Sequence, residues 1–225
     1  MIIEKYGVLL KRISQNDIEL IREKRNSHAI SSKMIYQKEI SIEEQLTWFK
    51  SVNNFHNFYY LIFYNNEPIG MINDKNVDWN DKVSEAGLFI WEKRYLNTIV
   101  PSLASLCLLE VGFEILDWNE TSIEVLKSNS DAIIFNKQVG FIEVENGKKK
   151  VARFKLTRQR YDAKARNFIL AMTKLNDKKT LKLFLSKEDI DSGLTSQIEN
   201  VIQNSNRNIK EINCNDGKGH EYSIL

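Results

Sequence analysis

The chain has 225 residues, 42% hydrophobic and 28% charged, with a formal net charge of +2. That length suits one sizeable domain, or one domain with an appendage, and the nearly balanced charge gives no electrostatic footprint for nucleic acid. Cys107 and Cys214 make no disulfide framework, no apolar run reaches the roughly 20 residues that span a bilayer, and no secretory segment opens the chain, so the expected compartment is the cytoplasm.

In chain order, residues 6–13 (YGVLLKRI) read as a first strand. Ser14 with Asp17 reads as a cap for a helix that ends at Arg25-Asn26. Residues 27–38 show no period and read as a loop or broken helix. Ser41 with Glu44 is a capping box, and its helix carries Ile42, Leu46 and Phe49 on one side and Trp48 and Val52 on an adjoining one. FYYLIFY, PIGMINDKNV and VSEAGLFIW follow as a three-stranded antiparallel meander. From Val100 apolar residues fall on nearly every side, which predicts a buried helix; Pro101 fits only its first turn and so fixes its start. Cys107 within it reads as a buried thiol. TSIEVLK is a strand. Asn129 or Ser130 caps the next helix, with Ala132, Phe135 and Val139 as its inner row and Gly140 at its C-terminal position. Residues 140–156 read as a hairpin with Asn146-Gly147 at its tip.

After Leu156 the reading is an amphipathic helix over 157–174, the strand TLKLFL, a helix capped by Ser186 and Asp189 and reaching about Asn204, and two strands, NIKEINC and HEYSIL, around Asn215-Asp-Gly217. The expected class is α+β: a mixed, mostly antiparallel sheet flanked by helices over residues 1–156, with a small α/β extension over 157–225.

Residues 85–141 run strand, turn, apolar helix, strand, helix, with Asn129-x-x-Ala132 opening the last helix and Gly140-Phe141 closing it. This stretch resembles the core of the GNAT acetyltransferases. Arg25-Asn26, Met34 and Ile40-Ser-x-Glu43-Glu-Gln45-x-x-Trp48-Phe49 resemble bacterial N-acetyltransferases acting on nucleotide-linked amino sugars. The resemblance covers about residues 7–156. It implies an enzyme that moves an acetyl group from acetyl-CoA, as co-substrate, to an amine, most simply on a nucleotide-linked deoxyamino sugar for surface glycans. Acetylation of a protein N-terminus or another amine, and a GNAT-fold scaffold without turnover, stay open beside it. The expected partners are small molecules rather than nucleic acid or membrane, and a homodimer is left open.

The resemblance also implies a set of site residues. The pantetheine arm and oxyanion would meet Phe89, Ile90 and Trp91 on one strand and Asn129, Ala132 and Phe135 on the last core helix. The pyrophosphate would meet backbone N–H groups of Thr98, Ile99 and Val100. Here the chain departs from the family: Leu96-Asn-Thr-Ile-Val-Pro101 replaces a basic, glycine-rich turn, and Pro101 has no N–H to offer. Glu85 is the candidate general base, with apolar Ala86 and Leu88 beside it expected to raise its pKa. Asn136 stands where many members place the tyrosine that protonates the thiolate, and an amide cannot act as that acid; Tyr95 and Tyr36 are substitutes only if the fold brings them close. Arg25, Asn26, Met34 and Trp48 fall on the acceptor side. His28 and His56 have no partner in view, and no group of residues has metal-ligand spacing.

Overall fold

The structure, a computed structural model, describes residues 1–144, 149–176 and 179–224. Strands β1 (Ile2–Lys5) and β2 (Val8–Arg12) form a tight hairpin. The single strand read over 6–13 is thus corrected: Tyr6 and Gly7 take φ of 57° and 81°, a left-handed turn that Gly7 tolerates. The Ser14–Asp17 capping box holds one short turn ahead of α1 (Ile18–Asn26). A four-residue helix, α2 (His28–Ser31), interrupts the following loop. In α3 (Ile42–Val52) the Ser41–Glu44 box is formed at both ends, Gln45 and Phe49 turn inward, and Ile42, read on the same side as Leu46 and Phe49, is 53% exposed.

The meander is β3 (Phe58–Tyr64), β4 (Glu67–Asp78) and β5 (Val83–Ile90), antiparallel throughout. The apolar helix α4 (Val100–Glu110) ends in a wider π-type turn over Val111–Ile115, where Trp118 folds back over Gly112; a β-carbon on Gly112 would stand 2.4 Å from the Trp118 ring. Then come β6 (Glu120–Leu126), α5 (Ser130–Val139), β7 (Ile142–Val144) and β8 (Val151–Thr157). Asn129 caps α5 by accepting from the Ala132 N–H at 3.3 Å, and Gly140 ends it at φ 121°. The tip expected at Asn146-Gly147 lies outside the described residues.

The helix read over 157–174 is three consecutive segments: α6 (Arg158–Arg160), a π-type turn over Tyr161–Ala165, and α7 (Arg166–Leu175). After β9 (Leu181–Ser186), the helix expected up to Asn204 is two pieces, α8 (Lys187–Asp191) and α9 (Ser196–Gln203), broken at Gly193 with φ 74°. β10 (Ile209–Cys214) and β11 (Gly217–Tyr222) close the chain.

Among the described residues eleven strands join one sheet in the order β10-β11-β9-β1-β2-β3-β4-β5-β6-β8-β7. β9 pairs with β1, so residues beyond 157 lengthen the sheet that the first residues begin. One core packs α4 against the sheet, and a second packs α1 and α3 on the opposite face around Ile21, Phe49, Tyr59 and Met71. Among the described residues no helix is long and apolar enough to cross a membrane.

Candidate functional site

β5 and β6 run parallel and pair from Val83–Glu120 to Ala86–Ile123. Past that point β5 continues to Ile90 and β6 to Leu126 with no pairing between them, so the sheet parts in a V. A cavity of about 1410 Å³ occupies the gap and opens on both faces of the sheet, reaching α4 and α5 on one side and α1 and α3 on the other.

Backbone direction in the gap follows from two bonds. The Trp91 N–H donates to Ile69 O at 3.0 Å on the β4 side, and Lys82 O accepts from the Asn119 N–H at 2.7 Å on the β6 side. Strand alternation carries these directions along β5. Phe89 therefore gives its N–H to β4, while Leu88 and Ile90 turn theirs into the gap. For Phe89 the side chain, and not the N–H, faces the cavity's acceptor half.

The turn before α4 uses up much of its own hydrogen-bonding capacity. The Thr98 N–H donates to Tyr95 O at 3.2 Å, and the Val100 N–H to Thr98 Oγ1 at 3.3 Å. Val100 is buried in the core and Ile99 is 56% exposed, and neither lines the cavity. Among the described residues the N–H groups of Asn97, Ile99 and Ser102 have no partner, so three donors remain at the helix mouth, and of the three expected only Ile99 is among them. Arg94 is held by Glu67. Trp91, Thr98, Asn129, Ala132 and Phe135 all line the cavity. So does Asn136, whose side-chain amide donates to Ala132 O at 2.7 Å. Tyr36 reaches the rim at 47% exposure, whereas Tyr95 packs edge-on against Tyr64 at 5.4 Å and lies outside the lining.

Glu85 lines the acceptor half, but its surroundings differ from the apolar setting expected. Lys75, its cross-strand partner, reaches Glu85 Oε1 at 2.6 Å, and Asn76 Nδ2 donates to Oε2 at 3.2 Å. Asn73 packs onto Gly87, where a β-carbon would stand 2.9 Å from Asn73 Oδ1. Trp48 meets the Tyr59 ring edge-on at 5.1 Å, and burial pushes the Tyr59 hydroxyl up to about 12. Arg25 lays its guanidinium 5.6 Å from the centre of the Phe89 ring. It is half-buried, burial holds its pKa below the usual arginine value, and among the described residues it has no carboxylate partner. Met34 lines the same rim. Asn26 does not: its amide donates to Ile40 O at 2.9 Å and accepts from the Ile40 N–H at 2.8 Å, clasping the ends of the loop between α1 and α3. His28 and His56 lie away from the cavity.

The sequence reading missed Asn73, Lys75, Tyr59 and Asp74. Asp74 carried a signal: strand alternation puts it on the face of Ile72, an acid pointing into a core.

The family pattern described as acetyltransferase (GNAT) domain matches residues 8–142, more than half of the chain. The chain belongs to the GNAT acetyltransferases. This GNAT chain is therefore an N-acetyltransferase, and members of the family use acetyl-CoA. No curated protein sequence matches it. Its fold is similar to that of spermidine N-acetyltransferase from Vibrio cholerae in complex with CoA and spermine, at TM-score 0.61 and 17% identity over 69% of this chain and 98% of that one. A domain from Methanocaldococcus jannaschii gives TM-score 0.60 and 20% identity over 67% and 97%. The Campylobacter jejuni N-acetyltransferase PseH gives 0.51 and 23% over 68% and 99%. These relatives are matched almost end to end, and each leaves about a third of the present chain uncovered.

Proposed function

We propose that this enzyme acetylates the amino group of a nucleotide-linked deoxyamino sugar, with acetyl-CoA as donor, in surface-glycan biosynthesis. The observation that carries the reading is Arg25. A half-buried guanidinium, stacked on Phe89 and lacking a carboxylate, calls for an anionic ligand group, and its planar fork matches a phosphate. Of the carboxylates lining the acceptor half, Glu85 is engaged by Lys75 and Glu44 by the Ser41 N–H at 2.8 Å, while Glu124 on β6 has no ion-pair partner among the described residues. A polycationic amine would find a free cation there, and a sugar nucleotide would find its counterion.

The chemistry follows from the two faces of the V. The acceptor enters from the side of α1 and α3, the thioester from the side of α4. Glu85 takes the ammonium proton through water, and the freed amine attacks the thioester carbonyl directly. The N–H groups of Leu88 and Ile90 face the gap and receive the oxyanion. The open N–H groups of Asn97, Ile99 and Ser102 meet the donor's pyrophosphate at the start of α4.

The test is thiol release from acetyl-CoA by the purified protein with a panel of uridine- and thymidine-diphosphate 4-amino sugars, a peptide amine and spermidine. The sugar nucleotides are expected to be turned over fastest. Arg25→Ala is expected to raise KM for the sugar nucleotide about tenfold or more, the loss of a charge-assisted hydrogen bond, and to leave KM for acetyl-CoA in place. Preference for spermidine or the peptide would sink the assignment.

A further inference from the structure

The cavity floor holds an acid that the steps above do not use. Asp74 on β4 is the cross-strand partner of Ala86, the last β5 residue paired with β6, so it marks the apex of the V. It lies on the α4 face, is 6% exposed, and lines the cavity. Its Oδ1 accepts from Ser84 Oγ at 3.0 Å, and Ser84 Oγ lies 2.9 Å from Thr121 Oγ1. Three neighbouring strands thus give one member each to a hydrogen-bonded chain. The buried Trp118 indole N–H faces the same carboxyl group but falls outside hydrogen-bond geometry.

A serine hydroxyl carries one proton, so this chain has two senses. With Asp74 ionised, Ser84 donates to it and accepts from Thr121. With Asp74 protonated, Asp74 donates to Ser84 and Ser84 to Thr121. Both protonation states are satisfied without moving a heavy atom. Tyr60 of β3 is the ionisable neighbour, and among the described residues no cation faces the carboxyl group. Burial pushes it up to about 6. Tyr59, Lys75 and Glu85 stand in the acceptor half, across the sheet from Asp74, and Asn136 is no acid.

Resting on the acetyl-transfer reading above, we infer that Asp74 protonates the departing thiolate of the donor. The amine nitrogen forms its bond to the carbonyl carbon. The tetrahedral intermediate then collapses, the C–S bond breaks with its electron pair on sulfur, and the Asp74 O–H proton passes to sulfur. The amine's proton leaves through Glu85 and water, and the Asp74 anion regains a proton from solvent in the cavity.

The full chain is assayed for thiol release with acetyl-CoA and a uridine-diphosphate-linked 4-amino-4,6-dideoxyhexose. Asp74→Asn is expected to lower kcat about 100-fold, to change KM for acetyl-CoA by less than about twofold, and to abolish the fall of wild-type kcat as pH rises through about 6. Ser84→Ala is expected to move that fall to higher pH, because the lost hydrogen bond favours the anion. A kcat for Asp74→Asn within about threefold of wild type, or an unmoved limb in Ser84→Ala, overturns the assignment. Should wild type release no thiol with any amine, the transferase reading fails instead, and a carbon-13 titration of the Asp74 carboxyl group decides this one. A midpoint shifted by CoA and not by desulfo-CoA supports contact with sulfur; identical midpoints overturn it.

Discussion

The two ends of α4 are built on opposite terms. At its C-terminal end, Lys5 Nζ donates to both Glu110 oxygens at 2.7 and 2.9 Å with both side chains fully buried, and Tyr6 reaches Glu110 and Thr173. Four residues on, Glu114 receives Arg166 at 3.3 Å, Arg207 at 2.6 Å and the Tyr222 hydroxyl at 2.9 Å. Carboxylates there have the wrong sign for the helix dipole, so these partners are what hold them. The N-terminal end is the reverse: Leu96 and Ile99 are exposed, and three backbone N–H groups are left over. Fixed structure gathers where no ligand enters, and free donors gather at the mouth, where an anion can use them. The pinned end draws on both the first residues and the extension beyond residue 157.

The largest effect should come from the pinned end. Lys5→Ala strands the Glu110 carboxylate in the core, where burial already raises its pKa, and is expected to cost about 3–5 kcal/mol in urea unfolding; Lys5→Met with Glu110→Leu should recover most of it. Next comes the floor between the ends. Asp74 has a folded pKa of about 6 against an ordinary 3.8, so the native state holds its proton more tightly than the unfolded chain does. That contribution is fully present below about pH 3.8 and is lost as pH rises through 6, so wild type should lose about 3 kcal/mol relative to Asp74→Asn between pH 3 and 7. The smallest effect belongs to the open end. Pro101→Ala adds one N–H in the first turn and is expected to tighten CoA about tenfold by calorimetry, with little change in stability. An unchanged affinity would mean that the donor's phosphates do not meet this turn.

Features set by local chemistry were legible in the sequence. The Ser41–Glu44 box, the Asn129 cap, Gly140 and the buried helix after Pro101 stand where spacing placed them, because each depends on residues within one or two turns. Register and distant pairing were not. Whether Glu85 meets Ala86 and Leu88 or Lys75 depends on how β4 and β5 align. The Lys5–Glu110 pair joins residues more than a hundred positions apart, and the turn at Tyr6-Gly7 hid a four-residue strand. The same limit made residues 157–225 read as an appendage, since nothing local in TLKLFL announces that it will pair with Ile2–Glu4.

That last pairing sets an order of events during synthesis. β2 can close onto β3 as soon as the meander emerges from the ribosome, but the other edge of the β1–β2 hairpin must wait for Leu181–Ser186. Throughout that interval β1 is an open strand edge beside an apolar core, the kind of edge on which nascent chains pair with one another. Closing it requires one of the longest sequence separations in the fold, a slow step that local helix formation cannot hasten. A chain stopped before β9 would keep the whole V and still carry that edge.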